Sequence, residues 1–218
     1  MRPSVGRASG RVARRSFIVF GRARGAGSQR RGGDLRVAPA RLASLVRDDG
    51  SVTYLPSDVY AEIERSMPIA CVDFVPVREK QGNGAAPEVG LILRQSPFGL
   101  VWCHLGGRVL RGETLAGAIR RHARDRVGTD VALPPDPQPD YVYQWFPPEI
   151  VPDDAPGHGE DPRKHAIGLS FIVALTGEPS PANEALDFAY FPLDTLPDPL
   201  WPGTQGLLER LLPGQSVT

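Results

Sequence analysis

Two consecutive glycines, Gly106 and Gly107, separate an apolar segment, Trp102-Cys103-His104-Leu105, from a stretch in which Leu115, Ala118, Ile119, Ala123 and Val127 recur at steps of three and four residues. That recurrence commits one stripe of a helix to a core, and Gly128 supplies its stop. The stripe also orients the rest of the helix. His122, Asp125 and Arg126 stand at i, i+3 and i+4 and are expected to share a face away from the core.

The remaining chain reads as short strands between turns. Pro56-Ser57-Asp58 followed by Val59, Ile63 and Met67 predicts a short capped helix within 55–67. Residues 69–77, 89–94, 141–146, 166–175 and 186–191 carry the β-branched and aromatic content of strands, and residues 203–212 form a closing amphipathic helix. Two loops are rich in turn residues. Residues 81–88 are rich in Gly and Pro, and residues 147–164 hold five prolines and several acids, too polar and broken for a core element.

The 218 residues, 41% of them hydrophobic, suit one core, while 24 Gly and 23 Pro leave little chain for long helices. The net charge of zero is unevenly spread: between Arg2 and Arg36 stand ten arginines and a single acid, Asp34. Residues 1–50 are therefore expected to be a disordered basic extension, and residues 68–214 the folded domain. The same Arg-rich, acid-poor composition also suits an organellar transit peptide, with a solvated tail as the preferred reading. Without interleaved aromatics a basic arm contacts nucleic acid only non-specifically, so no specific nucleic-acid partner is expected. No apolar run approaches the roughly 18 residues of a membrane helix, so a cytoplasmic chain with no membrane partner is expected. Cys71 and Cys103 lie in apolar strands outside any C-x-x-C motif and suit buried, reduced thiols.

The segment Gly107-Arg108-Val109-Leu110-Arg111-Gly112-Glu113, followed by Arg121 through Gly128, resembles the Nudix box, G-x5-E-x7-R-E-U-x-E-E-x-G-U with U a bulky aliphatic residue. Gly107, Glu113, Arg121 and Gly128 match its fixed positions at the expected spacing. Its three metal-binding glutamates fall at His122, Asp125 and Arg126, and Ala123 and Thr129 stand where aliphatics are usual. The segment Trp102 to Gly107 is similar to the strand and loop that precede the box, and residues 186–197 to the family's late strand and turn. The resemblance implies an α/β/α sandwich with a mixed sheet, here preceded by a short helix and the basic tail. It implies a hydrolase of a nucleoside diphosphate linked to another moiety, with Mg or Mn. Glu113 and Arg121 would brace the loop against the helix, and Gly128 would end it.

The altered face narrows the chemistry. A hard divalent cation prefers oxygen ligands, and the helix offers it one carboxylate, Asp125. Arg126 opposes it: a guanidinium about 5 Å from a divalent ion, at an effective dielectric near 20, is repelled by roughly 7 kcal/mol before relaxation. Three arrangements remain open. In one, Asp125, Glu184 and a carbonyl near Gly107 hold a single metal, a reduced site similar to that of the GDP-mannose mannosyl hydrolase branch. In another, His122 joins Asp125 as a softer ligand. In the third there is no metal, and Arg108 and Arg126 neutralise phosphates directly.

Outside the helix, Asp161-Pro162-Arg163-Lys164-His165 places two cations and a titratable group at the mouth of a strand. The candidate catalytic residues are His122, His165 and Glu184, and the candidate substrate-binding residues Arg108, Arg126, Arg163, Lys164, Tyr143 and Trp145. Plainer roles are open for several of these: a solvated His122, an Arg126 turned to solvent, an Asp125 paired with Arg121, and a packed His104. The expected ligand is a nucleotide-containing small molecule, a nucleotide sugar for preference, and a homodimer is allowed. The alternative is an inactive Nudix-like module that binds a nucleotide or a protein partner.

Overall fold

The computed structural model describes residues 55–79 and 87–214. The basic extension at 1–50 and most of the loop at 81–88 lie outside the described residues.

The first helix, α1 (Ser57–Ser66), precedes a central strand, β1 (Ile69–Arg78). Strand β1 pairs in parallel with β8 (Ala166–Leu175), from Ile69 opposite Ala166 to Pro76 opposite Val173. A strand covered on both faces needs an unbroken apolar run, and Val72, Phe74 and Val75 are fully buried. On its other side β1 has two successive partners. Residues Cys71 to Phe74 pair with β4 (Leu105–Arg108), whereas Val77 and Arg78 pair with β2 (Glu88–Ser96).

Strand β2 in turn pairs with β3 (Gly99–Cys103) and with the late strand β9 (Asp187–Pro192). Between β3 and β4 lies one residue, His104. There the chain passes from the ladder on β2, where Cys103 faces Ile92, to the ladder on β1, where Leu105 faces Phe74. The sheet splits at that step.

The far side of β8 pairs with β6 (Tyr141–Phe146), and β6 with the two-residue β7 (Gly159–Glu160); a short β5 (Val131–Ala132) pairs with the end of β8. The order β3-β2-β1-β8-β6-β7, with β4, β5 and β9 off this path, makes one mixed nine-stranded sheet among the described residues. Helix α2 (Leu115–Val127) packs on β4, β1 and β5 through the expected stripe of Ala118, Ile119, Ala123 and Val127. Helix α3 (Thr204–Leu211) covers β6, β7 and β8 with Leu207, Leu208 and Leu211. Both cysteines are buried and free, and burial pushes their thiols up to about 12. The loop 147–164 is less irregular than its composition predicts, holding a 3-10 turn at Pro148–Ile150 and strand β7. No described helix is long and apolar enough to cross a membrane.

Candidate functional site

The turn from β4 into α2 runs tight against its surroundings. Gly106 and Gly107 sit at φ of 149° and 153°, where side chains are strained, and space is short besides: a Cβ on Gly106 would come within 2.2 Å of the Val72 carbonyl oxygen. Thr114 caps the helix by accepting from the Gly117 N–H at 3.0 Å, and Gly128 closes it in the left-handed region. The Arg121 guanidinium forks onto Glu113, with both bonds at 2.8 Å, and also donates to the Arg108 carbonyl. Glu113 in turn accepts from the Leu110 N–H at 3.0 Å. This network ties loop to helix and, despite the cost of burying Glu113, holds its carboxyl below the usual range.

Beneath the loop lies His122, only 5% exposed. A Cβ on Gly107 would meet the His122 ring at 2.7 Å, so the glycine loop lies directly on the imidazole. An arginine only donates, so His122 Nδ1 must accept from Arg126 Nη1; the ring proton is then on Nε2 and donates to the Arg108 carbonyl at 3.1 Å. Burial first, and the Arg126 and Arg121 charges after it, push the His122 pKa down to about 4. At neutral pH the ring is uncharged, with both nitrogens engaged.

Arg126 is largely buried as well. Its guanidinium pairs with Glu184 Oε1, while Glu184 Oε2 accepts from Arg94 Nη2 at 2.7 Å. Two guanidiniums thus close on one carboxylate. Asp125 is exposed, and its backbone carbonyl accepts from the Asn183 side-chain amide. The helical spacing that groups the three residues is too coarse to show this, because the loop covers His122 and Arg126 but not Asp125.

Next to this ion triad, at the split in the sheet, opens a small cleft. Arg94, Arg163 and Lys164 bring cations to its wall, Trp145, Trp201 and His104 bring rings, and Gly106 and Gly107 form part of the floor. Asp73, buried in β1, accepts from Trp145 Nε1 at 2.9 Å and lies 3.4 Å from His104 Nε2, whose ring stacks on Trp145. The carboxylate fits because the neighbouring strand β8 has a glycine, Gly168, beside it; a Cβ there would sit 1.9 Å from Asp73 Oδ2. The opposite wall is built by Asp161, which accepts from the backbone and side chain of Arg163 and pairs with Lys164 at 3.5 Å. These cations hold the Asp161 carboxyl below its ordinary range against the opposing effect of burial. The guanidiniums of Arg94 and Arg163 lie 5.6 and 5.2 Å from the centroid of the same Trp201 ring.

Residues 51–201 match a family described as a domain of unknown function (DUF4916). A solved structure from Jonesia denitrificans, described as a possible asymmetric diadenosine tetraphosphate hydrolase, is 30% identical over 67% of this chain and 94% of its own, with a TM-score of 0.56. The chain belongs to the DUF4916 family, and its fold is that of the Nudix hydrolases. A MutT Nudix hydrolase from Burkholderia pseudomallei shares the fold, at 23% identity over 67% of this chain and 99% of its own, with a TM-score of 0.50. No curated protein matches the sequence.

Nudix hydrolases in general use divalent metals, and the donor set on this Nudix box can be tested against one. Glu184 is neutralised by two arginines, both nitrogens of His122 are engaged, and Arg126 puts a positive charge on the face where the box ordinarily carries a carboxylate. Among the described residues no group of three or more His, Cys, Asp or Glu is arranged to hold a metal ion. As arranged, these residues do not fit a divalent cation.

Of the residues singled out by sequence, Gly107, Trp145, Arg163 and Lys164 line the cleft of this Nudix fold, and Arg126 and Glu184 adjoin it through Arg94. Gly106 and Asp161, also read in the sequence, belong to the lining too, whereas His122, Asp125, Arg108, His165 and Tyr143 do not. Arg108 lies over the Tyr60 ring of α1 at 4.0 Å, His165 stacks on Phe146 and contacts Gln144, and Tyr143 is packed in the core beneath α3. Sequence reasoning missed Asp73, Arg94 and Trp201; His104 is packed as read, stacked on Trp145, and also lines the cleft. Asp73 had a signal, as the one charge in the apolar run 69–77; Arg94 and Trp201 had none, because their partners are distant in sequence.

Proposed function

We propose that this Nudix-fold protein binds a nucleoside diphosphate joined to a second moiety, a nucleotide sugar for preference, and that side-chain cations rather than a metal take the diphosphate charge. The observation that carries the reading is the cleft wall: Arg94, Arg163 and Lys164 beside Trp145 and Trp201. Guanidinium forks suit phosphate oxygens, and an indole face suits a base or the apolar face of a sugar. Asp73 and Asp161 border the same cleft, but their carboxylates are already held by Trp145 and His104 and by Arg163 and Lys164, so the preference for a sugar rests on the rings.

The test is thermal unfolding in EDTA with nucleotide sugars, dinucleoside polyphosphates and nucleoside triphosphates. At least one is expected to raise the midpoint by several degrees at millimolar concentration. No stabilisation by any of them, with EDTA or with Mg²⁺, would sink the reading.

Hydrolysis is the second reading, favoured by the likeness to a protein described as a possible diadenosine tetraphosphate hydrolase and by the Asn183 contact that draws the Glu184 segment to Asp125. It requires Asp125 and Glu184, with the Gly107 carbonyl, to hold one Mg or Mn ion after Arg126 has let go, with His122 or His165 as base. Turnover in the same panel with Mg²⁺ or Mn²⁺, abolished by Asp125→Asn, would establish it in place of the first.

A further inference from the structure

The contact between Arg94, Glu184 and Arg126 is unusual in its balance. The two arginine side chains are 17% and 13% exposed, whereas the carboxylate they share is 32% exposed. Two mostly buried cations meet one partly solvated anion, leaving an excess positive charge where desolvation makes it costly. Burial is the largest influence lowering the Arg126 pKa, and the neighbouring Arg94 adds to it. The hydrogen bonding is incomplete too: among the described residues Arg126 Nε is buried without a partner. A carboxylate has two oxygens to offer, while a phosphate has three or more and up to twice the charge.

The geometry around the triad gives such a group a way in. Arg94 belongs to the cleft wall, on the Trp201 ring that also carries Arg163. Glu184 reaches the triad from a short turn that is itself fastened to α2. The Ala182 N–H donates to the Arg126 carbonyl at 2.8 Å, Asn183 sits at φ 55° with its amide on the Asp125 carbonyl, and the Ala185 N–H closes on Ala182. The backbone is therefore held, and only the Glu184 side chain has to swing toward solvent.

We propose that Glu184 is an internal stand-in for a phosphate: Arg94 and Arg126 form an anion site, and a phosphate group of the ligand binds both guanidiniums in place of the carboxylate. The site rests on the diphosphate reading of the cleft and deepens it. It assigns Arg126, at a position where the Nudix box ordinarily has a carboxylate, the charge-neutralising part that a metal takes in most Nudix hydrolases. Glu184 is then a competitor of the ligand, the opposite of a metal-holding residue.

The experiment is calorimetric titration of inorganic pyrophosphate in EDTA into the full chain and three variants, with thermal unfolding of each as a check on folding. Glu184→Gln removes the competing charge and is expected to bind pyrophosphate about tenfold more tightly than the unaltered protein, the scale of one charged hydrogen bond. Its midpoint without ligand should fall and be restored by pyrophosphate. Arg126→Gln, with Glu184 in place, should bind about tenfold more weakly, and the double variant should lose the gain. Folded Glu184→Gln with unchanged or weaker affinity would overturn the proposal. So would Arg126→Gln with full affinity, a result available even if Glu184→Gln fails to fold. Nucleotide binding in EDTA without any effect of these variants would leave the cleft reading standing and remove the stand-in. Pyrophosphate binding with the expected variant effects, but no nucleotide binding, would do the reverse.

Discussion

His122 is fixed from both sides of its ring, and that makes it a reporter of the box loop. In the unfolded chain an imidazole takes up its proton near pH 6.5, and in the fold near 4. Between these values the unfolded state binds more protons, so stability falls as pH is lowered through that window and is fully present above it. The expected loss is up to about 3 kcal/mol between pH 6.5 and 4. Denaturant unfolding across the window should show it, and His122→Gln should flatten the profile. Asp73 gives a second residue-scale expectation. Gly168→Ala must push its carboxylate off Trp145 Nε1 and should cost about 2 to 4 kcal/mol in urea unfolding. A loss under about 0.5 kcal/mol would mean that Asp73 is not held as described. Residues such as Glu113, Arg121 and Gly128 were legible in the sequence because their partners lie within one loop and helix. The burial of His122 and the pairing of Arg126 were not. The first depends on a glycine loop folding over the ring, the second on a glutamate 58 residues away, the span that also separates Asp125 from Asn183.

At the scale of elements, the turn and helix of the box act as one unit. Glu113 joins Arg121, the Leu110 backbone and, through Arg121, the Arg108 carbonyl. Glu113→Gln should destabilise the domain by about 2 kcal/mol, since it removes the charge on which the Arg121 fork closes. Chemical denaturation measures this, and an unchanged midpoint would count against the brace. The helices followed from apolar periodicity and the long strands from β-branched and aromatic content, within a few residues of where the sequence put them. The aromatic alternation of β6 was legible as a pattern but not as a role. Helix α3 covers Tyr141 and Tyr143, with Arg210 on the Tyr141 hydroxyl and Gly206 against Tyr143, so only Trp145 reaches the cleft. A pattern within one strand cannot say which of its rungs a later helix will cover.

The molecule as a whole keeps the Nudix scaffold and changes what the scaffold presents. Its cleft draws on β1, β2, the β3–β4 step, β6, the Asp161 turn and Trp201, a set assembled only by the split sheet. No local stretch of sequence contains it, which is why only its turn from Asp161 to Lys164, Trp145, Gly106 and Gly107 could be named in advance. On the proposed reading, fixed side-chain cations do here what a metal does in most Nudix hydrolases. Calorimetric titration of the best-stabilising nucleotide, once in EDTA and once in millimolar Mg²⁺, tests this directly. The same dissociation constant within about twofold is expected in both, with no product in either sample; binding that appears only with Mg²⁺, or turnover that depends on it, would contradict metal-free binding.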